Sequence, residues 1–324
     1  MQPPIVVPLD GSAFGKRALP LALAMARRRG AGVELVHVHE RPPTALGAPA
    51  FDPRFDSEQR ALMRRELTAL ATNLQTETGV DATAHFLDGE VVGTLRQYIA
   101  VRSPSLVVMM THGRGGRSHF WLGSVADGVI RGSTVPVLLL RAGAEWPGGL
   151  HEPLFRRMLV PLDDSDAAAE IIPHAMSLAT PGATTLALLS VVDPGLALRP
   201  ASVDLRPAAP VEPLVDSVRR VTADRLARLA GPLREAGLDV TTDVVVDPHP
   251  AQRVLAYAGE HEMDLIALAT HARGALGRLL LGSVADKVIR GAVVPTLVSR
   301  PGALAAGSVE RGADAGAGSA MGSA

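Results

Sequence analysis

The sequence contains no cysteine, few aromatic residues and no excess of either charge. Without cysteine there are no disulfides, thiolate metal sites or cysteine nucleophiles, which is typical of a reducing compartment such as the cytoplasm. The 32 basic and 33 acidic residues leave none of the positive charge on which nucleic-acid binding depends. No apolar run approaches the roughly 20 residues that span a bilayer, and the N-terminus lacks signal-peptide features. We expect a cytoplasmic protein that binds neither nucleic acid nor membrane.

The sequence does contain a long internal repeat. The stretch "THGRGGRSHFWLGSVADGVIRG" returns 159 residues later as "THARGALGRLLLGSVADKVIRG", and "IVVPLDGS" returns as "MLVPLDDS". The repeated segments occur in the same order in both halves, which indicates a duplicated domain and not a short solenoid unit. We therefore predict two domains over 1–141 and 154–301, a linker over 142–153 and a disordered tail over 302–324.

Within each half, short runs of Val, Leu and Ile alternate with helical patterns. The runs are apolar on both faces, as in parallel strands that are covered by helices on each side. The sequence thus predicts an α/β protein with two doubly wound, parallel five-stranded sheets. The predicted strands lie near 4–9, 33–39, 81–86, 105–110, 135–140, 157–162, 184–192, 239–246, 264–269 and 294–299. The apolar last strands are suited to pairing the halves as a pseudo-twofold dimer within one chain.

Proline-rich stretches follow the second strand of each half. They cover residues 41–55 and 193–213. Their length and composition predict surface loops or lids.

The glycine-bearing segment follows the fourth strand, beside the point where ligands bind in open α/β sheets. Gly113 has no side chain that would block a phosphate. Gly123 and Ser124 then start a helix, with Ser124 predicted as the N-cap, and the free amides of this helix end favour an anion. Asp10, at the end of the first strand, either accepts hydrogen bonds from a nucleoside or caps the following turn, and the sequence leaves both interpretations open.

These recurring segments resemble the universal stress protein family, whose ATP-binding members carry G-x2-G-x9-G-[S/T] after the fourth strand. The second and third glycines correspond to Gly113 and Gly123, but Met110 occupies the first position. In the second half the three positions are Ala269, Ala272 and Gly282. An L-residue pays roughly 1 kcal/mol or more in the left-handed region, so the alanine at 272 predicts a weaker site.

The resemblance implies an adenine nucleotide alpha hydrolase-like fold and an ATP site, with ATP accompanied by Mg²⁺. The implied nucleotide-binding residues of the first half are Pro8, Asp10, Val38, Met109, Met110, Gly113, Gly123, Ser124, Val125 and Ala126. Those of the weaker second site are Pro161, Asp163, Val191, Ala272, Gly282 and Ser283. No metal site made of protein side chains is expected at His37 and His39, which share one side of a strand, because no carboxylate set accompanies them.

We expect a stress-response protein that binds ATP and responds to occupancy by a shift between conformers. A protein partner would sense this shift, or the protein's own assembly as a homo-oligomer or pseudo-dimer would. No catalytic residue is assigned. One alternative is a weak ATPase, for which His112 and Arg114 are the nearby candidates for a base and a stabilising charge. The other is a stress scaffold that acts through dimer surfaces without a nucleotide.

Overall fold

The computed structural model describes residues 2–41, 52–111, 122–141, 153–197, 211–270 and 281–302. The strands of the first half are β1 (Gln2–Pro8), β2 (Ala31–His39), β3 (Ala82–Asp88), β4 (Leu106–Met110) and β5 (Val137–Leu140). Its helices are α1 (Leu19–Arg29), α2 (Pro53–Thr78), α3 (Val91–Arg102) and α4 (Ser124–Gly132), and a 3-10 turn (Gly15–Ala18) precedes α1.

The second half repeats this order. Its strands are β6 (Arg157–Pro161), β7 (Thr185–Val192), β8 (Asp239–Val246), β9 (Leu265–Ala269) and β10 (Thr296–Ser299). Its helices are α5 (Asp166–Ala169), α6 (Ile171–Met176), α7 (Pro194–Ala197), α8 (Val211–Glu235), α9 (Pro250–Glu260) and α10 (Ser283–Gly291).

The ten strands form a single sheet in the order β3-β2-β1-β4-β5-β10-β9-β6-β7-β8. Pairing is parallel within each half, whereas β5 and β10 pair antiparallel, with Val137 opposite Val298 and Leu139 opposite Thr296. The predicted α/β fold and the pairing of the two halves through their last strands are therefore confirmed.

Helix ends follow local sequence signals. Gly30 and Gly79 end α1 and α2 with φ of 60° and 70°, a left-handed conformation that glycine adopts without steric cost. Asp52 caps α2 by accepting from the amide of Arg54 at 2.8 Å, and Pro53 occupies the first turn. Among the described helices, none combines the length and hydropathy needed to cross a membrane.

Two apolar layers enclose the sheet because successive residues of a strand point to opposite faces. One layer packs Ile5 and Val7 of β1 against α1, α2, α6 and α8, while the other packs Val6 against α3, α4, α9 and α10. Each layer contains residues of both halves.

The predicted proline-rich loops are wrong at their ends. Helix α2 begins at Pro53, α7 occupies 194–197 and α8 begins at Val211. Residues 42–51 and 198–210 lie outside the described residues, as do 142–152 of the predicted linker and 303–324 of the predicted tail.

Candidate functional site

The strand order reverses between β1 and β4, and this reversal defines the candidate site. From β1 the chain continues to β2 and β3 on one side, whereas β4 and β5 lie on the other. The two central strands pair at Ile5–Leu106 and Val6–Val107, and the last residues of both strands lie beyond this pairing. Such a reversal creates a crevice at the carboxyl ends of the strands, where open α/β sheets bind ligands.

One face of the sheet carries several of the residues predicted to bind a nucleotide. Val38 and Met109 belong to the same apolar layer as Ala126 of α4, and they are 9% and 5% exposed. Pro8 follows Val6 by two positions and therefore shares this face. The structure thus places an apolar wall from three strands beside the helix that begins after the glycine-bearing segment.

Met110 lies on the opposite face. It packs in the layer that contains Val7, Leu9 and the α1 side chains, and it is only 7% exposed. Met110 stands where the family pattern has glycine, and its side chain is therefore directed away from the face that carries Met109.

The start of α4 supplies the polar end of the crevice. Gly123, not Ser124, is the N-cap, with φ of −61° and ψ of 149°, because its carbonyl accepts from the amide of Asp127 at 2.9 Å. The prediction of Ser124 as the N-cap is therefore wrong by one residue. An α-helix has no internal acceptors for its first amides, here those of Ser124, Val125 and Ala126. Only Ser124 of these three is exposed.

The helix start is tied to the sheet by main-chain hydrogen bonds. The amide of Gly123 donates to the carbonyl of Thr111 at 2.8 Å, and the amide of Thr111 donates to the carbonyl of Leu140 at 2.8 Å. These bonds fix the N-cap beside the carboxyl ends of β4 and β5. Gly113 lies outside the described residues.

Asp10 organises the turn after β1. One carboxylate oxygen, Oδ1, accepts from the amide of Ser12 at 2.9 Å and from its hydroxyl at 2.6 Å. Asp163 makes the same pair of bonds to Ser165, also at 2.9 and 2.6 Å. Of the two interpretations left open by the sequence, turn capping is observed in both halves.

The second half presents a similar arrangement. Pro161 and Val191 are half-buried, and Val191 packs against the apolar layer as a counterpart of Val38. Gly282 is the N-cap of α10, whose first residue is Ser283. Ala272 lies outside the described residues.

The two β2 histidines face α2, on the side opposite the α4 start. His37 Nδ1 is 2.8 Å from the carbonyl oxygen of Leu9, and His39 Nε2 is 2.7 Å from Asp56 Oδ1. The sequence does not predict Asp56 as a carboxylate partner of His39, because the proline-rich composition of residues 41–55 predicts a loop in place of the start of α2. Still, no group of three potential metal-binding His, Cys, Asp or Glu residues occurs within the described ranges.

A small, partly open cleft adjoins His37 on this side of the sheet. Lys16, Met63 and Glu66 line it. It is separated from the crevice beside α4 by β1 and β2, and so the two are different surfaces.

A buried carboxylate lies deeper on the α4 side of the sheet. Glu34 is 3% exposed and accepts from the Tyr98 hydroxyl at 2.7 Å and from Arg102 Nε at 3.0 Å. Burial alone would raise the pKa of Glu34, but the bonds from Arg102 and Tyr98 outweigh it and lower the pKa. Burial, together with Glu34, raises the pKa of Tyr98. The signal that sequence reasoning missed is an acidic residue within the apolar run of β2.

The fold and the crevice define a tandem α/β protein whose two halves repeat one plan about a pseudo-twofold axis. The universal stress protein family model matches residues 1–141 and 154–300, and the chain therefore belongs to the universal stress protein family.

Relatives agree with this assignment over one or both halves. A universal stress protein of Mycolicibacterium smegmatis is 25% identical over 307 residues, which cover 92% of this chain and 97% of the relative. A universal stress protein of Thermus aquaticus is 34% identical over 140 residues, which cover 42% of this chain and 97% of the relative. The crystal structure of a universal stress protein from Archaeoglobus fulgidus has the same fold, with a TM-score of 0.63 at 18% identity and coverage of 92% of this chain and 96% of that chain.

Proposed function

We propose that this chain is a stress-response protein that binds ATP together with Mg²⁺ in the first-half crevice. The observation that carries the proposal is the convergence of Val38, Met109 and the start of α4 on one face of the sheet, at the reversal of strand order. Ligands of open α/β sheets bind at this position.

The chemistry of the crevice matches the two ends of the nucleotide. Val38, Met109 and Pro8 offer apolar surface to the adenine ring. The first-turn amides of Ser124, Val125 and Ala126 carry the positive end of the helix dipole, which favours phosphate groups. Since no three-residue metal cluster occurs in the described part of the chain, Mg²⁺ would be held mainly by the phosphates and would neutralise their charge.

Asp10 has a supporting part in this proposal. Its Oδ1 atom fixes the turn at residues 10–12, which directly follows the end of β1 at Pro8. By resemblance to the family, the carboxylate also faces the nucleoside.

We also propose a domain division and a second, weaker site. The domains are 1–141 and 154–301, joined by a linker over 142–153 and followed by a tail over 302–324. The residues proposed for the weaker site are Pro161, Asp163, Val191, Ala272, Gly282 and Ser283. Support comes from the equivalent starts of α4 and α10, both capped by glycine and both with serine as the first helical residue.

The protein would act by binding and not by catalysis. ATP would stabilise the conformer that binds it more tightly. The stabilisation cannot exceed the difference in ATP binding free energy between the two conformers. A protein partner or another copy of the chain would respond to this shift.

The test is calorimetric titration of the full chain with ATP and Mg²⁺, using Ser124→Asp and Ser283→Asp as a matched pair. Both serines are exposed first residues of equivalent helices. A carboxylate there stabilises a helix by about 0.3–1 kcal/mol, so both variants should fold. The charge repels a phosphate by about 1 kcal/mol or more, which corresponds to at least roughly fivefold weaker binding for Ser124→Asp.

In the Ser283→Asp variant the affinity of the first half should stay unchanged. The proposal is wrong if the wild-type chain shows no binding heat, or if Ser124→Asp binds ATP as tightly as the wild type.

A further inference from the structure

Two arginines cross the boundary between the halves in opposite directions. Arg300 Nη1 donates to the carbonyl of Arg131 at 2.8 Å, in the last turn of α4. Arg141 Nη1 donates to the carbonyls of Arg290 and Ala292 at 2.7 and 2.8 Å, at the end of α10. Each arginine thus bonds to the carboxyl end of a helix that belongs to the other half.

Each arginine also stands beside the crevice of its own half. Arg141 directly follows Leu140, whose carbonyl accepts from the amide of Thr111, the residue bonded to Gly123. Arg300 directly follows Ser299, whose carbonyl accepts from the amide of Thr270 at 2.8 Å. The first-half crevice and the end of α10 are therefore neighbours, and so are the second-half crevice and the end of α4.

The antiparallel pairing of β5 and β10 produces this exchange. Helices α4 and α10 each have nine residues, which corresponds to a length of about 14 Å. Each begins at the crevice of its own half and ends beside the last strand of the other half. The ion pairs Asp127–Arg131, at 2.7 Å, and Asp286–Arg290, at 2.9 Å, lie along these helices, and Arg290 also approaches Asp127 at 3.9 Å.

We propose that Arg300 and Arg141 are positioning residues that act across the two halves. Arg300 fixes the helix whose start forms the phosphate end of the first site, and Arg141 does the same for the second. Each half thereby holds the helix at the phosphate end of the other half's site. The effect on ATP binding rests on the proposed function, whereas the holding of each helix by its arginine does not.

The physical reason is the shortness of these helices. A nine-residue helix is marginal without tertiary support. A guanidinium at its carboxyl end satisfies carbonyls that lack internal donors and interacts favourably with the negative end of the dipole. Loss of this contact should therefore increase the opening of the whole helix, including the amides at its start.

Hydrogen exchange on the full chain without nucleotide tests the positioning role. In Arg300→Ala, the amides of 124–132 should exchange about five- to tenfold faster while those of 283–291 stay unchanged. In Arg141→Ala the pattern should be reversed. Arg300→Lys keeps the charge and a donor and should restore part of the protection of α4, and Arg300→Gln serves in place of Arg300→Ala if the latter does not fold.

Titration with ATP and Mg²⁺ tests whether the positioning of α4 by Arg300 affects binding at the first site. Arg300→Ala should weaken first-half binding about five- to tenfold, although Arg300 belongs to the second half, whereas Arg141→Ala should leave it close to the wild-type value. The positioning role is overturned if each variant loosens the helix of its own half, if both helices loosen equally, or if neither changes. If the wild-type chain binds no ATP, the proposed function fails, and the exchange pattern still decides the positioning role.

Discussion

Replacing Glu34 by alanine should destabilise the first half by an amount that the structure allows us to estimate. The Glu34 carboxylate is buried, and it accepts hydrogen bonds from Tyr98 and Arg102. Removing one member of a buried pair costs about 3–5 kcal/mol. The Arg102 side chain is 50% exposed and can turn to water, so its charge is not left buried and we expect a smaller cost, about 1.5–3 kcal/mol.

Urea unfolding at neutral pH, followed by circular dichroism, measures this free energy. Tyr98→Phe removes only the hydroxyl bond and should cost about 1 kcal/mol, which makes it the matched control. Ala187, which occupies in β7 the register position of Glu34 in β2, is buried at 2% exposure, and the second half folds with alanine there. Glu34→Ala should therefore retain the fold.

The stability difference between the wild type and Glu34→Ala should also depend on pH. The folded-state pKa of Glu34 lies below its ordinary value. The contribution to stability is therefore complete above the unfolded pKa of about 4.3 and is lost as the pH falls through the folded pKa. The difference between wild type and Glu34→Ala should narrow below about pH 4. A cost under about 1 kcal/mol at neutral pH, or a difference that widens on acidification, would refute the reasoning.

Two further predictions concern packing between elements. A Cβ atom on Gly128 would meet Val92 Cγ1 at 2.5 Å, so Gly128→Ala should push α4 away from α3 and lower the free energy of unfolding by about 1–3 kcal/mol. Gly259 in α9 has open space around it, so Gly259→Ala should raise the free energy of unfolding by up to about 1 kcal/mol. Equal effects of the two substitutions would contradict the packing. Arg28 of α1 donates to the carbonyls of Leu178 and Ala179, which follow α6. Arg28→Ala should therefore lower the free energy of unfolding by about 1–2 kcal/mol in the same experiment. An unchanged unfolding midpoint would show that this contact between the halves contributes nothing.

All ten strands were predictable from the sequence to within about two residues. Strands that are covered on both faces must be apolar throughout, and such runs are easily recognised between turn residues. The start of α2 is the exception: the proline-rich composition up to Phe55 predicts a loop, although Asp52 and Pro53 form a helix-start signal.

The candidate site was less accessible to sequence reasoning. Alternation along β4 requires Met109 and Met110 to lie on opposite faces, but only the packing of α4 shows which of them faces the crevice. Recurrence of Asp10 indicated a shared role without identifying it, since an aspartate after a strand can bind a ligand or cap a turn. In the Glu34 cluster, Tyr98 and Arg102 follow Glu34 by 64 and 68 positions in the chain. At such a separation a single sequence contains no pairing signal.

The most direct test of nucleotide binding is a crystal structure of the full chain with ATP and Mg²⁺. We predict phosphate oxygens within about 3 Å of the amides of Ser124, Val125 or Ala126, and the adenine ring against Val38 and Met109. A nucleotide bound instead in the cleft beside His37 and Glu66, on the other side of the sheet, would contradict the account.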